Sequence, residues 1–250
     1  IKTAYENEAN TNAFTDADVT ALAGVPNAAG TRYGAIITSD GTSAGVYEQK
    51  VWKDLTGAIV ARGTGAAWPT FTNFIGASVD GYAFAKGEAV HLYFHVPHDY
   101  ALGTDIYFHP HWGHNGTAIA GSMVWDIEVT LAERSLTIPY STFSTPITNS
   151  VTNTITGATA GDRLTNFPQY CHVVEDILLS TPGGDATPGS GKLDTANITV
   201  DSLIMVHMEA DTSGLTLTGG SPSEPFLFFA DIHYQADLEG TLNKDPNFYV

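Results

Sequence analysis

The chain has 250 residues, 43% of them hydrophobic and 15% charged, and its 10 Lys+Arg against 27 Asp+Glu give a formal net charge of −17. A field of that sign repels phosphate backbones and anionic lipid, so neither nucleic acid nor an acidic membrane surface is an expected partner. No apolar run reaches the roughly 18 residues that a spanning helix needs, and the single cysteine, Cys171, cannot close an intrachain disulfide.

The opening, IKTAYENEANTNAF, has neither the basic start nor the apolar run of a signal peptide. Just after it comes a helix signal. Thr15 followed by Asp18 resembles a capping box, Phe14 and Val19 stand at the staple positions, and Gly24 follows Leu22-Ala23 as a stop. A helix of about two turns is predicted, and one so short is marginal by itself in water. It must dock on the main domain or on another copy of the chain. Residues 1–30 are therefore read as an attachment or oligomerisation element, and residues 31–250 as one domain.

From Tyr33 onward the chain is rich in Gly, Thr, Ser, aromatic and β-branched residues, with strand-length apolar runs broken by turn formers. Strands are predicted near residues 33–38, 45–53, 57–62, 80–86, 89–96, 104–112, 121–132, 170–178, 198–209 and 226–236. With no long helical pattern between them, the expected fold is all-β: a jelly-roll-like antiparallel β-sandwich with a short N-terminal helical element. Two stretches, Ser141–Asn166 and Ser180–Lys192, consist largely of turn-forming and small polar residues and read as surface loops.

The most informative segment is HLYFHVPHDYALGTDIYFHPHWGH, His91 to His114, which holds six of the chain's nine histidines. Alternation along a strand puts His91, Tyr93 and His95 on one side of the first strand there, and Asp105, Tyr107, His109 and His111 on one side of the second. Two imidazoles in His-x-His on a strand project to the same side about 7 Å apart at their α carbons, near enough to share an ion. His109 and His111, with His91 or His95 from the adjacent strand, are thus the candidate ligands of a transition-metal ion such as zinc, iron or nickel. Asp126 or Asp231 would orient them from behind. The same residue types are also ordinary occupants of a solvated sandwich face.

Other chemistry is less well supported. Asp126, Glu128, Glu209 and Asp231 include carboxylates that could pair for glycoside cleavage. Trp52, Trp68, Trp112, Tyr140 and Tyr170 could stack on sugars, although a sandwich buries most of its tryptophans. The run Gly103 to His111 resembles the start of the first cupin motif, but Asn115 and Gly116 stand where its glutamate should fall. No catalytic residue and no cofactor-binding residue is assigned.

Two resemblances bear on function. IKTAYENEANTNAFTDADVTALAGV, Ile1 to Val25, resembles an element of bacteriophage tail-fibre, head-fibre and other virion proteins, with Val19 and Ala21 where lysines are usual. From Val51 to Val250, the runs VWKDLTG, FHVPHDYALGTDIYFHPHW, MVWDIEVTLAE and FFADIHYQADLEGTLNKDPNFYV are similar to phage and marine-virus structural proteins of unassigned role. These likenesses imply a non-enzymatic virion protein (fibre, spike or capsid decoration) assembled in the host cytoplasm as a homotrimer. Its implied partners are other capsid or tail proteins and a host surface glycan. They also imply that an ion on a threefold axis would map to His109 and His111. The alternative from another class is a metal-dependent, cupin-like enzyme, or a carbohydrate-active one, on the same sandwich.

Overall fold

A computed structural model describes residues 36–37, 43–44, 50–60, 67–76, 78–134, 143–144, 146–155 and 167–237. The chain divides into two compact units, Ile1–Gln49 and Lys50–Val250. In the first, β1 (Ile36–Ile37) pairs antiparallel with β2 (Ser43–Ala44). The helix expected between Thr15 and Gly24, and the boundary expected at residue 30, lie outside the described residues.

The second unit is built of strands. They are β3 (Val51–Thr56), β4 (Ala58–Val60), β5 (Thr70–Ile75), β6 (Val79–Ala83), β7 (Ala89–His95), β8 (Ile106–His114), β9 (Ala118–Ala132) and β10 (Ile147–Ile155). Then come β11 (Val173–Val174), β12 (Ile177–Leu178), β13 (Ser180–Thr181), β14 (Leu193–Asp194), β15 (Leu203–Asp211), β16 (Leu215–Thr218) and β17 (Pro225–Ala236). One 3-10 turn, Thr195–Asn197, starts at Asp194, whose side chain accepts from the Ala196 amide. No helix among the described residues is long and apolar enough to cross a membrane.

Two antiparallel sheets form the sandwich. The first runs β10-β9-β15-β7-β4, with β16 carrying on from β15 along the same side of β9. The second runs β11-β8-β17-β6-β5, with β12 also on β8 and β3 also on β17. Apart from a short β13–β14 pair and an isolated bridge at Ala67 and Glu88, the pairing is antiparallel. The expected all-β, jelly-roll-like sandwich is what the described residues of the Lys50–Val250 unit adopt.

Alternation sorts the side chains. On β7, Val90, Leu92 and Phe94 are buried, and on β8, Ile106, Phe108 and Trp112 are. With Met123, Trp125, Ile127 and Val129 of β9 and Ile204, Val206 and Met208 of β15, they join one core between the sheets. Aromatic edges meet across it: Phe94 and Phe108 have centroids 6.0 Å apart, Phe84 and Trp125 5.3 Å, and Trp112 and Trp125 6.4 Å. Each such side chain contributes about 1.5–3 kcal/mol by leaving water.

The chain passes repeatedly between the sheets. β3 pairs with β17 in the second sheet, and β4, one residue later, pairs with β7 in the first. The residue between them is Gly57, whose amide donates to the Ala230 carbonyl at 2.9 Å. A Cβ there would lie 2.4 Å from Cε1 of Phe94, so only glycine lets the backbone cross so close to that ring. β7 and β8 are likewise in different sheets, although they are consecutive.

Two expected boundaries move. The predicted loop Ser141–Asn166 contains β10, a nine-residue edge strand paired with β9 from Ile147 opposite Val129 to Ile155 opposite Gly121. Thr, Asn and Ser mask a strand in composition, yet Thr is β-branched and an edge strand needs no continuous apolar face. β5, also absent from the prediction, forms a hairpin with β6 that carries a register shift between Asn73 and Ile75. The second predicted loop, Ser180–Lys192, is tied down, with Asp185 and Lys192 exchanging backbone hydrogen bonds of 2.9 and 2.7 Å.

Candidate functional site

The four histidines expected to share an ion fall in three places. His91 sits on the outer face of the first sheet, opposite His207 of β15, and their rings are 4.9 Å apart. His207 in turn lies opposite Glu128 of β9, with Nδ1 3.7 Å from the carboxylate. Burial, reinforced by the His207 ring and opposed by Glu128, holds His91 below the ordinary histidine value. His95, at the end of β7, has its side chain 63% exposed and lies 3.2 Å from Asp201, which also meets His98 at 2.8 Å. His109 and His111 lie on the outer face of the second sheet.

The expectation that β7 and β8 are neighbours, with His91 or His95 completing a site at His109 and His111, is therefore overturned. Alternation correctly sends all four side chains outward, but the two strands belong to opposite layers, so their outward faces point away from each other. The supporting role expected of Asp126 fails for the same reason, since it lies on β9 opposite Glu209. There burial, with Asp211 nearby, raises its carboxyl above the usual value. The suggested carboxylate pairing splits too: Asp126, Glu128 and Glu209 are on the first sheet and Asp231 is on the second.

What gathers around His109 comes from β17, β3 and the β11–β12 segment. The registers place Asp231 of β17 opposite His109 of β8, and His233 opposite Tyr107 on one side and Asp54 of β3 on the other. All these outward side chains are two residues apart along their strands, so they form adjoining rows on one surface. A register shift between Leu227 and Phe229 resets the parity of β17, turning Phe229, Asp231 and His233 outward while Leu227 stays in the core.

One ligand atom from each of His109, Asp231 and His233 lies within 4.8 Å of the other two. His109 Nε2 meets Asp176 Oδ1 at 2.9 Å, and its Nδ1 lies 3.6 Å from Asp231 Oδ1. His233 Nε2 pairs with Asp54. The rings of His109 and His233 are in contact, with centroids 3.9 Å apart. His111 stands behind the carboxylate: its Nε2 is 3.0 Å from Asp231 Oδ2 and its Nδ1 2.8 Å from His172 Nε2. Phe229 stacks on the His111 ring at 4.0 Å and fixes its plane.

The partners determine the tautomers. An ionised carboxylate only accepts, so His111 donates from Nε2 to Asp231, and in its neutral form accepts at Nδ1 from His172. Burial favours that neutral form, holding His111 below its ordinary value although Asp231 acts the other way; the His172 and His109 rings add to the lowering. By the same logic His109 donates from Nε2 to Asp176 and His233 from Nε2 to Asp54, so that in the neutral form of each ring Nδ1 is the acceptor.

The floor of the cluster is closed and its lip is open. His109 and Asp231 side chains are 10% and 8% exposed, against 35% for His233 and 63% for Asp54. Of these residues the sequence pointed to His109, His111 and Asp231, and strand alternation in FLFFADIHYQAD sets His233 on the same side as Asp231. Asp54, Asp176 and His172 were missed, since each stands in a run without a distinguishing pattern. Among the aromatics suggested for sugar stacking, Trp112 is buried in the core, Trp52, Trp68 and Tyr170 are exposed, and Tyr140 lies outside the described residues. Trp52 packs edge-on to Tyr107 at 5.6 Å, next to the histidine rows.

No family model matches the chain, and no curated protein does. Among solved structures, dimeric latent PorU from Porphyromonas gingivalis is similar over 76% of this chain and 13% of that chain, at 11% identity and a TM-score of 0.30. This chain spans only that small fraction of PorU, and a likeness so low carries no argument about fold or function.

Proposed function

We propose that this chain is a structural protein of a bacteriophage particle, a fibre, spike or capsid decoration, that acts as a homotrimer without catalysis. The observation that carries the proposal is where the phage-like runs fall. FHVPHDYALGTDIYFHPHW supplies the end of β7 and most of β8, MVWDIEVTLAE supplies most of β9, and FFADIHYQAD supplies most of β17. Those four strands hold central positions in both sheets, so the resemblance lies in the framework and not in one loop. In this reading residues 1–30 attach or oligomerise, and the β domain that follows them is displayed. A net charge of −17 keeps such a surface soluble at the high local density of a capsid or tail. Three copies would also present any weak host-glycan contact multivalently.

The test is native mass spectrometry of the full chain, joined to immunogold labelling of purified particles with antibody against the Lys50–Val250 unit. The expected results are a trimer and labelled particles; a stable monomer, with particles that do not label, overturns the proposal. The alternative, a metal-dependent enzyme, is favoured by one observation, the open lip beside His109, Asp231 and His233. It requires substrate turnover that is lost with those side chains.

A further inference from the structure

The geometry points to a binding site for one divalent transition-metal ion on each chain, with Nδ1 of His109, Nδ1 of His233 and Oδ1 of Asp231 as its ligands. This inference does not rest on the virion reading.

Three observations meet at this point. First, Asp231 Oδ1 accepts no hydrogen bond although its side chain is only 8% exposed. A buried carboxylate oxygen left in that state has lost its water and gained no donor in return. Second, in their neutral forms both imidazoles grouped with it offer a lone pair. With Nε2 of His109 donating to Asp176 and Nε2 of His233 donating to Asp54, the neutral ring of each keeps Nδ1 as an acceptor. A ring lone pair 3.6 Å from a carboxylate oxygen is a repulsive contact unless a cation is shared between them. Third, the groups behind each ligand are of the kind that tune metal sites. Each histidine is backed by a carboxylate, and the spare oxygen of Asp231 is held by His111 at 3.0 Å.

Two imidazoles and a carboxylate are a donor set that suits zinc, iron(II) and their neighbours better than calcium or magnesium, which prefer all-oxygen cages. Ligands at 2.0–2.1 Å around a tetrahedral ion stand about 3.3 Å from one another. The His109–Asp231 spacing of 3.6 Å is close to that already. His233, on the exposed lip, is the ligand free to close in. With three ligands from the sheet and solvent on the lip side, water fills the remaining coordination positions.

The site differs from the pair suggested by His109-Pro110-His111. Only His109 of that pair is a ligand, while His111 positions the carboxylate, and its further contact to His172 offers a rival pair of imidazoles that the experiment must separate.

The test uses the full chain stripped with chelator, titrated with Zn²⁺ by calorimetry and with Co²⁺ by visible absorption. Metal content is measured after dialysis, and each variant's fold is checked by thermal melting in chelator. The expected result is one ion per chain. His233→Ala and Asp231→Asn should each weaken binding on the order of 100-fold or more, and Asp176→Asn about 10–100-fold. His172→Ala should leave affinity within about threefold. Because His233 is on the lip, His233→Ala keeps the proposal testable even if Asp231→Asn fails to fold. Undiminished affinity in His233→Ala, binding lost in His172→Ala but kept in His233→Ala, or one ion per three chains would each overturn the site.

Discussion

Gly57→Ala tests the account of the fold and its link to the site together. The added Cβ would lie 2.4 and 2.6 Å from Cε1 and Cζ of Phe94, where ordinary carbon contacts are about 3.5–4.0 Å. Phe94 is 1% exposed and packs edge-on against Phe108, so its ring cannot simply swing away. Relief requires a shift of an ångström or more, either in the ring or in the backbone that links β3 to β4. Overpacking of a closed core costs typically about 1–3 kcal/mol, and a contact this short belongs at the upper end of that range. Urea unfolding at 25 °C, with the m-value held in common, measures the loss. Phe94→Leu removes the opposing atoms, so in that background Gly57→Ala should cost at least about 1 kcal/mol less than in the wild type. Since β3 also carries Asp54 opposite His233, displacement of the crossing should weaken the proposed ion binding. A Gly57→Ala protein within about 0.5 kcal/mol of wild type, or strict additivity with Phe94→Leu, would refute the reasoning.

Other consequences follow from single contacts. Trp112→Phe removes the indole N–H that donates to Glu175 at 2.6 Å, which ties the β11–β12 segment to β8; a loss of about 1.5–3 kcal/mol is expected in the same unfolding assay. A change under about 0.5 kcal/mol would show that the bond contributes nothing net. Gly113→Ala would set a Cβ 2.2 Å from the Cys171 carbonyl oxygen, and because the obstacle is backbone it should lower thermal stability more than Gly57→Ala does; equal or smaller loss contradicts this. His114, fully buried and donating from Nε2 to the Phe167 carbonyl at 2.9 Å, is held by burial below the ordinary value of 6.5. The unfolded chain takes up a proton there as pH falls below about 6.5 while the folded chain stays neutral. Stability therefore drops by up to about 1.4 kcal/mol per pH unit until the folded value is reached. His114→Gln should remove that component, so the stability gap between variant and wild type must narrow as pH falls from 7 to 5; a constant gap is the refuting result.

Alternation and composition alone made the layered fold legible. Leu92, Phe94, Phe108, Trp112, Trp125 and Val206 all point where the period of two sends them, because burying one face of a strand is a local constraint written into neighbouring residues. The same rule placed His91, His95, His109 and His111 on outward faces. It could not say whose outward face. Whether β7 pairs with β8 or with β15 is decided by contacts between segments more than a hundred residues apart, through the closure of one core between two sheets. The polar edge strand β10 was hidden because its pairing with β9 is a backbone interaction that composition does not report.

The chemistry divides in the same way. His109-Pro110-His111 is visible as a pair of imidazoles on one strand, and Asp231-x-His233 as a polar row on another, since both are written in short alternating runs. Their convergence is not. A register shift near Phe229 turns one row toward the other, the β3–β17 pairing brings Asp54 beside His233, and the β11–β12 segment delivers Asp176 and His172 to β8. Local sequence thus determined which side chains leave the core. Tertiary pairing decided which of them meet, because hydrogen-bond register between distant strands sets the spacing of lone pairs, and that spacing is what a cation reads.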